Sequence, residues 1–253
     1  MSNTIFITGC NGNLATYLVN KLSIRGFRII GCDIDSTNSD RTKNSISLGI
    51  NEYFQCDISN IEEISLLSTK LNKLEIYPNI LINNAAIDFV PTTESDKTGL
   101  DFSDFDKIIN VNVKAPLFLS KMFIEYWKTN KIYGNILNIS SIYSIVSPDP
   151  NNYQNGFIKN VLYGITKSAL NSITIQLSVL TAKDNIRVNA ILFAGIESNS
   201  QHPDFVKKYT SKIPIGRLMR KNEILEPILF LISNGNSYTT GTLLKVDGGY
   251  TII

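Results

Sequence analysis

The stretch "FITGCNGNLATYL", Phe6 to Leu18, decides the fold. Ile5, Phe6 and Ile7 form a short apolar run of strand type. Gly9 and Gly12 break it, and a helical pattern follows at once. A strand, a glycine-rich turn and a helix start form a phosphate cradle, because a helix N-terminus offers unpaired N–H groups and a positive dipole end. Gly9 suits the tight turn, and Gly12 lets backbone approach a ligand with no Cβ in the way. Ala15 falls where a third glycine permits close helix–strand contact. Asn13 is able to take a left-handed conformation at modest cost.

Outward from this stretch the chain alternates short apolar runs with longer helical patterns. The runs predict strands at Thr4–Thr8, Arg28–Asp33, Tyr53–Asp57, Asn79–Asn83, Gly134–Ser140, Ile186–Leu192 and Leu243–Asp247. Solid runs such as "NILIN" and "NILNIS" suit strands buried on both faces. Helices are expected at about 13–25, 61–76, 103–129, 161–183 and 222–234, with the polar segment 36–50 a loop or short helix. Strand and helix in alternation imply an α/β, doubly wound fold: a seven-stranded parallel sheet with helices on both faces. No composition shift divides residues 1–253, so a single domain is expected.

Bulk composition narrows the function. The 253 residues carry a net charge of +2, which argues against a nucleic-acid or anionic-membrane partner. The longest apolar stretches, such as Ile228 to Ile232, fall far short of a membrane span. The first residues carry no basic, apolar signal pattern. Cys10, Cys32 and Cys56 are too few and too odd in number for a disulfide framework, although all three fall near strand ends. A cytoplasmic protein with free thiols and no metal site follows. The only histidine is His202, read as a loop residue, which excludes a zinc site built on several His ligands.

The second strand ends "IIGCDID", with Asp33 18 residues beyond Ala15. An acidic side chain at about that distance binds the ribose hydroxyls of NAD and repels the 2′-phosphate of NADP. Asp35 is past the strand end and is the weaker candidate. The nearest cation in sequence is Arg41, so NAD is expected in preference to NADP.

"LYGITKSAL" places Tyr163 and Lys167 four apart on one helix face. A phenol titrates near ~10. Serving as a base near pH 7 requires lowering it by about three pH units, about 4 kcal/mol. The Lys167 ammonium and a positive nicotinamide act in that direction. Ser141 closes a strand, where its hydroxyl is placed to hold a substrate oxygen; the plain alternative is a turn or N-cap serine.

The whole set resembles the short-chain dehydrogenase/reductase family, which builds a Rossmann fold. The resemblance rests on "TGCNGNLA", "CDI" at 56–58, "NNAA" at 83–86, "VNVKA" at 111–115, "NISS" at 138–141, "YGITK" at 163–167, "IRVNAI" at 186–191 and "TGTLLKVDGG" at 240–249, in that order. It implies a catalytic tetrad of Asn112, Ser141, Tyr163 and Lys167. In it, Asn112 holds a water in a proton relay to Lys167, and Lys167 also binds the nicotinamide ribose. Asp57 and Ile58 would flank adenine, and Asn84 would stabilise the cofactor strand. The implied cofactor contacts also include Gly9, Asn11, Gly12, Asn13, Leu14, Asp33 and Ile34. Ala85, Ala86, Ala194, Gly195, Ile196 and Ser198 complete the set.

Four departures from the family pattern stand out. The second glycine comes one residue early, so Gly12 takes the part usually given to position 13. "NNAA" ends in Ala86 rather than glycine, and "ILFAGIES" has Phe193 and Ala194 for Pro-Gly. The gap from Ser141 to Tyr163 is long and holds "SPDPNNYQNGFIKN" (147–160). Its Asn151, Asn152, Gln154, Asn155 and Tyr153 suit a ligand with many hydroxyls; an ordinary polar surface loop is the alternative. With a lid around 195–210, the insert resembles a subgroup tied to bacterial surface-carbohydrate biosynthesis. The expected function is an NAD-dependent oxidoreductase interconverting an alcohol and a ketone on a sugar-like substrate, working as a homodimer or homotetramer. A sugar dehydratase or epimerase using NAD transiently, or a non-catalytic NAD-binding module, are the alternatives.

Overall fold

The computed structural model describes residues 3–88, 97–153 and 156–253. Seven parallel strands form one sheet in the order β3-β2-β1-β4-β5-β6-β7. They are β1 (Thr4–Thr8), β2 (Arg28–Asp33), β3 (Glu52–Gln55), β4 (Ile80–Asn83), β5 (Asn135–Ser141), β6 (Arg187–Phe193) and β7 (Leu243–Val246). β1 is buried along its whole length, as its unbroken apolar run requires. It pairs with β2 on one side and β4 on the other, so the winding direction reverses beside it. That reversal opens a crevice at the carboxyl ends of the strands, and the residues following β1, β4 and β5 all arrive there.

The helices are α1 (Asn13–Ile24), α2 (Asp40–Ser47), α3 (Ile61–Lys73), α4 (Phe105–Ile109), α5 (Ala115–Asn130), α6 (Val161–Thr181), α7 (Pro203–Thr210) and α8 (Leu225–Ile232). α1 and α8 cover one face of the sheet, with Ala15, Leu18 and Ile228 in a core shared with Ile5 and Ile7. α3 and α5 cover the other, where Trp127 packs with Phe6 and Phe123. A π-helical turn at Asn110–Lys114 joins α4 to α5, within the segment expected as one helix.

Two helices formed where no firm helix was expected. α2 starts on Ser39, whose hydroxyl accepts the Thr42 N–H. α7 starts on His202, whose ring Nδ1 accepts the Asp204 N–H. Among the described residues, no helix is long and apolar enough to cross a membrane, and no His, Cys, Asp and Glu cluster could hold a metal ion. Cys10, Cys32 and Cys56 are free and buried.

Candidate active site

Two cavities meet at the carboxyl edge of the sheet. The first, of about 690 Å³, runs from the β1 turn past the ends of β2, β4 and β5. At its start Gly9 has φ +64°, and a Cβ there would sit 2.8 Å from the Ala85 Cα. Gly12 is the N-cap of α1 and carries no side-chain cap, which leaves the helix N-terminus open to a ligand. Asn13 does not adopt the left-handed conformation considered for it: it is the first helical residue of α1. Ala15 is fully buried, and its methyl fits against the sheet.

Asp33 lines this cleft. Its Oδ2 accepts the Asn11 N–H at 2.8 Å and its Oδ1 the Ile34 N–H at 2.8 Å. These bonds aim the carboxylate and leave further acceptor positions on both oxygens. Asp35 faces elsewhere, toward Asn11 Nδ2 and Arg41. Arg41 does line the cleft, because α2 folds back over it; sequence distance gave no sign of this. Its guanidinium is held by Asp35 at 3.2 Å and by the Asn11 carbonyl at 3.2 Å.

Leu14, Ile34, Asp57, Ile58, Asn84, Ala85, Ala86, Ala194 and Ile196 also line the first cavity. Asn84 Nδ2 donates to the carbonyls of Thr8 and Gly9, tying the end of β4 to the glycine turn. Three of the expected cofactor contacts lie elsewhere. Asn11 is buried, its amide donating to Asp35 and Thr42 behind the loop. Gly195 lines the second cavity, its N–H donating to the Tyr209 hydroxyl at 2.9 Å. Ser198 turns away and pairs with Ser200 at 2.9 Å.

The second cavity, of about 470 Å³, lies on the other side of Tyr163. Ser141 and Tyr163 belong to the walls of both cavities, and Lys167 to the first alone. The Lys167 ammonium is 5.7 Å from the centre of the Tyr163 ring and donates to the Ile139 carbonyl at 2.8 Å. Burial lowers the Lys167 pKa to about 8, against an opposing pull from Asp88. Burial likewise raises the Tyr163 phenol well above its ordinary value; Asp88 adds to the rise and a Ser141 hydrogen bond opposes it. Ser141 also caps the short turn that follows β5, accepting the Tyr143 N–H, so the turn-serine reading holds for a residue that also lines both cavities.

Asn112 enters neither lining. Its Oδ1 accepts the Ile87 N–H, and its Nδ2 donates to the Ile87 carbonyl and to Thr166 Oγ1. Both amide protons are thereby engaged, which leaves the side chain no free donor for the expected relay.

Within the 147–160 insert, Tyr153, Phe157 and Lys159 face the second cavity. Asn151 is exposed and Asn152 is buried away from the cavity, so these amides do not provide the expected polar lining. Gln154 and Asn155 lie outside the described residues. The 195–210 segment contributes Gly195, Ser200, Gln201, His202, Phe205 and Tyr209. Sequence reading missed Asp88 and Lys159, which join in an ion pair at 2.6 Å inside the second cavity. They lie 71 residues apart, so no local pattern links them.

Residues 11–251 match the family model described as enoyl-(acyl carrier protein) reductase. A 3-oxoacyl-(acyl-carrier-protein) reductase of Rickettsia bellii is 30% identical over 99% of this chain and 97% of its own length. A short-chain dehydrogenase from Leptospira borgpetersenii, solved with bound NAD+, superposes with a TM-score of 0.86 at 31% identity, covering 99% of this chain and 93% of that one. A 4-hydroxyisoleucine dehydrogenase complexed with NADH also gives a TM-score of 0.86, at 27% identity over the full length of both chains.

Proposed function

The chain belongs to the short-chain dehydrogenase/reductase family, and on that footing we propose that it interconverts an alcohol and a ketone on a polar, sugar-like substrate with NAD as hydride carrier. That it is an oxidoreductase acting on CH–OH groups follows from the family itself. The observation that carries the specific reading is the wall formed by Ser141 and Tyr163, shared by the two cavities. With Phe193 and Ala194, which also line both cavities, this wall is where a substrate carbon in the second cavity would meet a cofactor in the first.

The first cavity fits a dinucleotide on its own features. Gly9, at φ +64° and pressed against Ala85, makes the tight turn into the cavity; the α1 N-terminus is uncapped, and Asp33 offers acceptors for ribose hydroxyls. Asp33 also repels a 2′-phosphate, while Arg41 is already engaged by Asp35. NAD is therefore the cofactor, and tighter binding of NADP+ than NAD+ in calorimetry would overturn that choice.

When bound, the nicotinamide accepts or supplies the hydride. Tyr163 exchanges the proton with the substrate oxygen, and Ser141 holds that oxygen. Lys167 favours the phenolate and would hold the nicotinamide ribose when the cofactor is bound. Burial raises the Tyr163 phenol, and positive charge in the first cavity acts against that rise. Asn112 acts as a positioning residue through Ile87. Tyr163→Phe is expected to abolish turnover while leaving NAD+ affinity unchanged; retained turnover would refute the assignment.

Aromatic walls with a few polar groups support the sugar-like substrate and a place in carbohydrate metabolism. Homo-oligomerisation through α5 and α6 is supported by exposed apolar side chains, Leu117 on α5 and Ile165, Ile175 and Val179 on α6. Sedimentation velocity checks it, and a monomer at micromolar concentration would refute it.

A further inference from the structure

The second cavity holds one ion pair whose geometry bears on the substrate. Lys159 is a nearly buried cation, 8% exposed, whose ammonium donates to both oxygens of Asp88 at 2.6 and 2.8 Å. The same ammonium lies 4.8 Å from the centre of the Tyr163 ring. Its charge is thus matched by Asp88 on one side and met by an aromatic face on the other. Asp88 differs: its side chain is 38% exposed and lines the cavity. A carboxylate has about four acceptor positions, and Lys159 occupies only part of them. Asp88 lines the same cavity as Tyr163, where a substrate would lie.

That arrangement discriminates by charge. A substrate phosphate or carboxylate would bring only acceptors to a carboxylate that itself only accepts. The cation it would need is engaged by Asp88. Among the described residues, Lys159 is the sole Lys or Arg of this cavity, and the sequence at 89–96 and 154–155 contains no Lys or Arg. An ammonium fares no better, since Asp88 is already neutralised. Uncharged hydroxyls supply the missing donors at no cost in charge burial. Tyr153 and Phe205, with ring centres 5.5 Å apart, give the apolar flank that the CH face of a sugar ring requires.

We propose that Asp88, pinned by Lys159, is the specificity-determining acceptor for hydroxyl groups of an uncharged polyhydroxylated substrate, and that phosphorylated, nucleotide-linked and carboxylated sugars are discriminated against. This rests on the sugar-like reading of the same site and narrows it to neutral sugars and polyols. A site built to hydrogen-bond a hydroxyl rejects ligands that leave its polar groups unpaired.

The test is a panel of free hexoses and hexitols against matched hexose phosphates and aldonic acids, with the full-length enzyme and NAD+, following NADH formation. Neutral compounds are expected to exceed their charged counterparts in kcat/KM by about 100-fold or more, from two or more lost or opposed hydrogen bonds. Asp88→Asn should lower kcat/KM for the neutral compounds by about 10- to 100-fold, mostly through KM. It should shrink the penalty against aldonic acids, because Lys159 is then unmatched, and leave the Kd for NADH unchanged. Equal or better use of the charged compounds by wild type overturns the proposal, whether or not the variant folds. An unchanged neutral-to-acid ratio in folded Asp88→Asn does the same. Turnover confined to hydroxyl-poor alcohols overturns this inference yet leaves the oxidoreductase reading standing, whereas turnover that survives Tyr163→Phe defeats that reading itself.

Discussion

The side chain of Asn112 holds the backbone of Ile87 from both sides, accepting its N–H at 2.7 Å and donating to its carbonyl at 2.9 Å. Ile87 lines the first cavity, and the next residue is Asp88 of the second. One buried amide therefore fixes the strand exit between the two cavities. A third bond, to Thr166 at 3.1 Å, ties that exit to α6, the helix of Tyr163 and Lys167. Asn112→Ala leaves the Ile87 groups unpaired, at a cost of about 2–4 kcal/mol. We expect that loss in chemical denaturation, together with a fall in kcat/KM as residues 87 and 88 shift. A cost below about 0.5 kcal/mol would show that the clamp carries no weight.

The cofactor preference depends on Asp33 and on its distance in kind from Arg41. Asp33→Ser removes the charge that opposes a 2′-phosphate, while Arg41 stays in the same wall. NAD+ affinity should fall about 10-fold, and the NADP+ to NAD+ affinity ratio should rise by about 10-fold or more. Calorimetry with each dinucleotide measures both. A ratio equal to that of the wild type would remove Asp33 from the discrimination.

The fold was legible where the hydrophobic pattern is strong. β1 and β2 have the bounds that the sequence predicts, because their buried interiors, Ile5–Ile7 and Ile29–Cys32, are marked off by the polar residues Thr4, Thr8, Arg28 and Asp33. α2 was not legible: "DRTKNSIS" buries only Thr42 and Ser45, so its helix shows in the Ser39 cap rather than in any apolar stripe. Ser141, Tyr163 and Lys167 could be picked out as candidates, since motif spacing carries them, and all three line the first cavity. What Asn112 does could not, because its partners Ile87 and Thr166 are 25 and 54 residues away. Arg41, Asp88 and Lys159 escaped for the same reason. Each reaches its cavity through tertiary packing that no local spacing encodes.

Lys167 should make stability depend on pH in the cofactor-free protein. Burial brings its pKa to about 8 from the ordinary lysine value of 10.5. Between these values the unfolded chain binds the proton and the folded chain does not. The penalty for the buried ammonium is thus fully present below pH ~8 and is relieved as pH rises toward ~10.5. Relative to Lys167→Met, the wild type should gain thermal stability from pH ~8 to ~9.5, short of tyrosine ionisation. Thermal melts of both proteins across that range decide the matter. A difference that is flat, or that narrows in the other direction, would mean that Lys167 keeps an ordinary pKa.

The two glycines of the phosphate turn should respond unequally to alanine. Gly9 has φ +64°, which costs an L-residue about 1–2 kcal/mol, and its new Cβ would press on the Ala85 Cα at 2.8 Å. That neighbour is backbone held to Thr8 through the Ala85 N–H, so it gives way only by moving the end of β4. Gly12 has an ordinary φ of −73°, and its new Cβ would meet only the Gly9 carbonyl, at 3.2 Å. Gly9→Ala should therefore lower stability by about 2 kcal/mol or more and weaken NAD+ binding. Gly12→Ala should cost less stability, yet still weaken NAD+ by filling the approach to the α1 N-terminus. Denaturation midpoints and dinucleotide affinities separate the two effects. If Gly12→Ala proved the more destabilising, the turn would owe its shape to the second glycine, and the early placement of that glycine would become the feature that sets the cofactor's pose.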